Sequence, residues 1–174
     1  MKKLKLHELN RLSDEEFKAA KKTELILVLD NIRSMHNVGS IFRTSDAFLA
    51  KEIYLCGITA QPPHRDITKT AIGAQNTVNW YYNENAINVV KELISQGYQL
   101  IALEQTSNSV LMQDFDWPVK TALILGNEVD GVSDEVLALC HTAVEIPQLG
   151  TKHSLNVSVS AGMSIWEYAK QHSI

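Results

Sequence analysis

The chain reads as an α/β protein with a mainly parallel sheet flanked by helices, and three features of its 174 residues say so. Short apolar runs alternate with segments of helical periodicity, the order that builds βαβ units. One run, Leu25-Ile26-Leu27-Val28-Leu29, is apolar without alternation, as a strand buried on both faces must be. The runs stop at turn-forming or polar residues: Asp30, Gly126 and Pro147.

Each element has its own justification. Ser13-Asp14-Glu15-Glu16 has the capping-box spacing and opens a short helix. Leu25 to Leu29 is the first strand, and a helix is expected from about Asn37 to Leu49. Glu52 to Cys56 is the next strand, followed by a Pro- and Gly-containing loop from Gly57 to about Gln75. Glu84 to Gln96 reads as a helix stopped by Gly97. Gln99–Leu103 and Thr121–Leu125 read as strands. Ser133 is placed to cap a short helix through Leu139, and Ala143–Ile146 is the last strand. Leu155, Val157 and Val159 alternate like a strand. Val159, Met163 and Trp166 share a helical face, and the Ala, Met, Glu and Lys content after Ser160 favours a helix to about Gln171.

Composition sets the class. Apolar residues make up 45% and charged residues 21%, the balance of a soluble globular domain rather than a fibrous or disordered chain. A chain of this length buries roughly 70% of its unfolded surface, enough for a core without disulfides or metal. Cys56 and Cys140 form no Cys-x-x-Cys and read as two buried thiols in a reducing cytosol. There is no long apolar run, and no signal core follows the basic N-terminus, so the expected location is cytoplasmic with no membrane partner. The six histidines make no ligand cluster, and no metal is expected. Net charge is −4, but Lys and Arg outnumber Asp and Glu 12 to 10 in residues 1–87, against 4 to 10 in residues 88–174. A local basic patch therefore belongs in the N-terminal half, beside the plainer reading of a mixed, solvated surface.

Ligands gather at the carboxyl ends of strands in such sheets, and three segments sit there. The first runs from Asp30 to Phe48. At 100° per residue, Ile41, Phe42, Phe48 and Leu49 share a stripe, and Gly39 and Arg43 lie away from it. A glycine one turn below an arginine near a helix N-terminus suits a phosphate or ribose, and an ordinary amphipathic helix with a solvated arginine has the same pattern. The second, Leu125 to Ser133, has two glycines flanking Asn127-Glu128 and leaves Glu128 without a structural reason. The third, Ile146 to Ser160, is a polar loop in which Ser154 suits an N-cap. No P-loop and no Gly-x-Gly-x-x-Gly fingerprint occurs. Spacing alone thus gives a crevice for a small, partly anionic ligand.

In order, these segments resemble the SPOUT superfamily of RNA methyltransferases, in its SpoU (TrmH) branch of 2′-O-ribose methyltransferases. Asn37-x-Gly39-x-x-x-Arg43 is similar to the first motif of that family, Leu125-Gly126-Asn127-Glu128 with Gly131 to the second, and Ile146-Pro147, Gly150 and Ser154 to Val159 to the third. Lys69 to Ala74 is similar to a segment between the first two, and the likeness spans about residues 24 to 171. It implies a C-terminal deep trefoil knot, a methyltransferase domain at residues 24–174, and an N-terminal helical extension at residues 1–23.

It also implies S-adenosylmethionine as methyl donor, with S-adenosylhomocysteine as product. The donor's contacts would come from Leu103, Glu104, Leu125, Gly126, Asn127, Ile146, Ser154 and Leu155. Arg43, Asn37, Glu128, Ser154 and Asn156 carry the chemistry by the same likeness. A guanidinium stays protonated, so Arg43 is expected to fix a phosphate and stabilise the developing alkoxide rather than act as base. The RNA, tRNA or rRNA, would be gripped by Arg33, His36, Arg43, Arg65, Lys69 and Lys152. A homodimer is implied, contacting through the last helix and the first motif, with Gly162 either allowing close approach there or belonging to a plain core helix. Val129 and Asp130 depart from the small or basic residues common after the family's second motif. The competing functions are a noncatalytic RNA- or nucleotide-binding protein on the same fold, and a phosphate-binding α/β protein with no affinity for the methyl donor.

Overall fold

The computed structural model describes residues 1–5 and 8–173; residues 6 and 7 of the expected extension lie outside the described residues. Seven strands form one sheet: β1 (Leu25–Asp30), β2 (Glu52–Cys56), β3 (Asn79–Asn83), β4 (Gln99–Leu103), β5 (Val110–Leu111), β6 (Thr121–Leu125) and β7 (Thr142–Glu145). Their order is β3-β2-β1-β6-β4-β7-β5, and each pairing is parallel. The helices are α1 (Asp14–Ala19), α2 (Met35–Ala47), α3 (Arg65–Ala71), α4 (Ala86–Ser95), α5 (Asp134–Leu137) and α6 (Val157–Gln171).

Strand β1 explains the layering. All six of its residues are buried. Leu25, Leu27 and Leu29 join a core built with Ile41 and Phe42 of α2, Ile67 of α3 and Ile165 and Tyr168 of α6. Ile26 and Val28 point into the other layer, with Val89, Val90 and Leu93 of α4 and Val136 of α5. A strand with both faces covered needs no polar alternation. Phe17 of α1 is buried in the first layer.

The strands at 52–56, 99–103 and 121–125 and the Ser13 capping box stand as the sequence predicts, and the first strand runs one residue further, through Asp30. Several boundaries differ. Helix α2 begins two residues before Asn37, because the Ser34 hydroxyl accepts the Asn37 N–H at 3.3 Å and caps it. The expected loop at 57–75 contains α3, capped by His64 Nδ1, which accepts from the Asp66 N–H at 3.2 Å. Strand β3 escaped notice because it is an edge strand with asparagine at both ends and no fully buried residue. The following helix starts at Ala86 with Asn85 as its cap. Ser133 does not cap α5 with its side chain: its hydroxyl donates to Asp30 Oδ2 at 2.6 Å instead. Strand β7 lies one residue earlier than expected. Asn156, not Ser154, caps α6, which starts at Val157, ahead of Ser160.

Cys56 is buried and Cys140 half-buried, both free, and burial pushes each thiol up to about 12. No helix among the described residues is long and apolar enough to cross a membrane.

Candidate active site

Strands β6, β4 and β7 are neighbours in the sheet, so their carboxyl ends open together. They frame a cavity of about 540 Å³ with the segment entering α6 as its fourth side. Leu103 and Glu104 come from the end of β4, Leu125, Gly126, Asn127 and Glu128 from β6, Ile146 from β7, and Ser154, Leu155 and Asn156 from the last loop. All the cofactor-contact candidates named from the sequence therefore meet in one place. Gln105, Asp130, Glu145, Gln148 and His153 also line it and were not anticipated there, although each follows or closes a strand end. Gln105 Nε2 donates to the His153 carbonyl at 3.3 Å and ties two rims together.

The turn after β6 is closed by a pair of backbone hydrogen bonds. The Asn127 N–H donates to Gly131 O at 2.9 Å and the Gly131 N–H to Asn127 O at 3.0 Å. Gly131 has φ +72°, where glycine is unstrained, and a Cβ at Gly126 would collide with the backbone of Gly131 and Val132. Asn127 Nδ2 donates to the Asn31 carbonyl at 2.8 Å, pinning the turn to the end of β1.

Glu128 then links the three sequence segments. Its carboxylate accepts from the Arg33 N–H at 2.8 Å, the Ser34 N–H at 3.0 Å and Asn37 Nδ2 at 2.9 Å. Asn37 Oδ1 in turn accepts from Asn156 Nδ2 at 3.1 Å, and Asn156 Oδ1 accepts the N–H groups of Ser158 and Val159. An ionised carboxylate can only accept, so this order fixes both asparagine amides. Partial burial works against the Glu128 charge, but the Arg33, Asn37 and Ser34 donors outweigh it and hold the carboxyl below its ordinary value. A second, shallow cleft is lined by Arg33, Ser34, Asn37 and Glu128.

One carboxylate was missed in the sequence. Asp30 is 1% exposed. It accepts from Asn31 Nδ2 at 2.8 Å and from the Ser133 N–H and hydroxyl at 3.0 and 2.6 Å. The signal was available: an acid terminating a wholly apolar run needs buried partners.

Arg43 and Gly39 lie elsewhere. Arg43 is exposed on α2, roughly 9 Å along the axis from Asn37, and does not line the cavity. Gly39 is no landing place for a phosphate: α3 occupies that spot, and a Cβ there would collide with Thr70 Oγ1 and the Ile67 carbonyl. Thr70 Oγ1 also donates to the His36 carbonyl at 3.0 Å, joining α3 to α2. Arg33, His36, Arg43, Arg65 and Lys69 are all exposed on this helix pair and its entry, and Lys152 is exposed on the loop before α6. Ser154 is exposed on the same loop. Among the described residues no group of three or more His, Cys, Asp or Glu is placed to hold a metal ion.

Known proteins match this arrangement. The profile of the SpoU rRNA Methylase family covers residues 24–166. The tRNA (guanosine(18)-2′-O)-methyltransferase of Aquifex aeolicus is 32% identical over 151 residues, 85% of this chain and 70% of that protein. The crystal structure of the A. aeolicus TrmH/SpoU tRNA modifying enzyme superposes with a TM-score of 0.82 at 26% identity, over 92% of this chain and 82% of that one. The AdoMet-bound rRNA methyltransferase from Sinorhizobium meliloti gives a TM-score of 0.81 at 25% identity, over 91% and 60%. The chain belongs to the SpoU rRNA Methylase family.

Proposed function

We propose that this chain transfers a methyl group from S-adenosylmethionine to a ribose 2′-hydroxyl of tRNA or rRNA. The observation that carries the reading is the meeting of all three motifs, through Glu128, Asn37 and Asn156, at the edge of one cavity. The relatives named above act on tRNA and on rRNA. The cavity suits the cofactor. Its volume of about 540 Å³ falls in the range of small-molecule sites, and its wall is acidic, as a ligand of net positive charge requires.

When bound, the sulfonium supplies an electrophilic methyl carbon, and the protein's task is alignment and management of one proton. The ends of β4, β6 and β7 would hold the donor. Glu128, Asn37 and Asn156 fix the N-termini of α2 and α6 on either side of the acceptor's approach. Arg43 holds the neighbouring phosphate and stabilises the alkoxide as the hydroxyl proton leaves to phosphate or water. Arg33, His36, Arg65, Lys69 and Lys152 bind the RNA backbone, Ser154 orients the ribose, and residues 1–23 extend a catalytic domain at 24–174.

The active form is a homodimer. Val159, Met163 and Trp166 leave an apolar face of α6 exposed, and Arg43 stands outside the cavity of its own chain. A second copy packed on α6 brings such an arginine to the cavity mouth. The segments after β4, β6 and β7 line one cavity, and the C-terminal third forms the trefoil knot of the family in this reading.

Arg43→Ala is the test. It should bind S-adenosylmethionine as the wild type does in calorimetry, yet transfer no tritiated methyl group to RNA. Turnover at the wild-type rate refutes the assignment of Arg43. Absence of cofactor binding by the wild type refutes the reaction itself.

A further inference from the structure

The cavity is lined by four carboxylates, Glu104, Glu128, Asp130 and Glu145, and among the described residues that line it there is no lysine or arginine. Two of the four are engaged by the protein. Glu104 accepts from the Val132 N–H at 3.0 Å and the Gln105 N–H at 2.9 Å, and Glu128 from its three donors at the start of α2. The other two, Asp130 exposed and Glu145 half-buried, have no side-chain hydrogen bond or ion pair with any described residue. Their backbones are nevertheless fixed. The Asp130 N–H donates to Asn127 Oδ1 at 3.2 Å within the closed turn, and Glu145 ends β7 in register with Leu111.

Methyl transfer changes the charge of whatever occupies this cavity. The donor carries a sulfonium. Once the methyl carbon has left for the ribose oxygen, the sulfur keeps the bonding pair and becomes a neutral thioether. The adenosine and amino-acid portions are the same before and after. A carboxylate with no partner in the protein therefore attracts the substrate form of the cofactor more than the product form, by a through-space effect that needs no direct contact. We propose that Asp130 and Glu145 are specificity residues for the charge of the cofactor, favouring the methylated cation and easing release of the demethylated product. Asp130 thereby gives the acid after the second motif a role, since it lines the cavity that would hold the cofactor. The proposal rests on the methyl-transfer reading above.

The test is calorimetric and uses no RNA. S-adenosylmethionine and S-adenosylhomocysteine are titrated into the full chain, into Asp130→Asn and Glu145→Gln, and into the double variant. Each single substitution should weaken the methylated cofactor by roughly two- to fivefold, the size expected of one partly screened charge, with S-adenosylhomocysteine nearly unchanged. The ratio of the two Kd values should shrink further in the double variant. The wild type offers a check independent of substitution. Raising ionic strength from about 0.02 to about 0.5 M should move its ratio toward that of the double variant. Sinefungin, which carries an amine in place of the methylated sulfur, should follow the cation. Equal losses for both cofactors, or a ratio insensitive to salt and to both substitutions, overturns the proposal. Failure of the wild type to bind either cofactor strikes the underlying methyltransferase reading instead.

Discussion

Glu128 is bound to the start of α2 by two backbone N–H groups and one amide, all at 2.8–3.0 Å. Its first role is therefore to hold that helix, and through Asn37 and Asn156 to hold α6. The sequence marked Glu128 as a carboxylate with no structural reason at a ligand end. Its partner Asn37 stands 91 residues away, and no local periodicity joins positions so distant. Glu128→Gln replaces one accepting oxygen with an NH2 that turns a donor toward donors, and should cost about 1–3 kcal/mol. It should also change the acid response. Because the folded-state pKa lies below the unfolded value of roughly 4.3, the Glu128 contribution is complete above that value and vanishes as pH falls through the folded one. Urea titrations between about pH 7 and 3 should show the wild type losing more stability on acidification than Glu128→Gln. Parallel losses would mean that these hydrogen bonds contribute nothing in solution.

Among the elements, α2 and α3 show best what the sequence revealed and what it hid. The amphipathic stripe of α2 was legible because Ile41 and Phe42 face the sheet. Helix α3 was not, being only seven residues long and following Pro62-Pro63, which read as loop. The sequence therefore left two readings open at Gly39, and the packing gives its bare Cα to another helix rather than to a ligand. Gly39→Val should therefore destabilise the protein by about 1–3 kcal/mol, or roughly 2–10 °C in Tm, through a clash with the Ile67 carbonyl and Thr70. Gly150→Ala is the matching control, because nothing lies within 4 Å of the position its new methyl would take. Thermal unfolding that leaves Gly39→Val at the wild-type temperature contradicts this packing.

For the molecule as a whole, the α/β class followed from the alternation of runs. Strand order did not, since β1 pairs with β6 across most of the chain and β4 inserts between β6 and β7. Nothing in a residue pattern encodes threading either, and the knot entered only through family likeness. Met163 and Trp166 share a helical face in the sequence, and both remain exposed, at 43% and 53%. Met163→Glu should put a charge on that face and shift sedimentation velocity from dimer to monomer while cofactor affinity stays within about twofold. Methyl transfer to RNA should fall with the dimer. A variant that sediments like the wild type would place the contact on another surface.

The central position of β1 also has a consequence during synthesis. Leu25 through Leu29 leave the ribosome long before Thr121 to Leu125, the segment that covers one of their two edges. At about 5–20 residues per second, that edge stays open for roughly 5–20 s on every nascent chain. Throughout that interval the most aggregation-prone stretch of the polypeptide depends on β2 and on cellular chaperones for shelter, and slow translation of the intervening codons would lengthen its exposure.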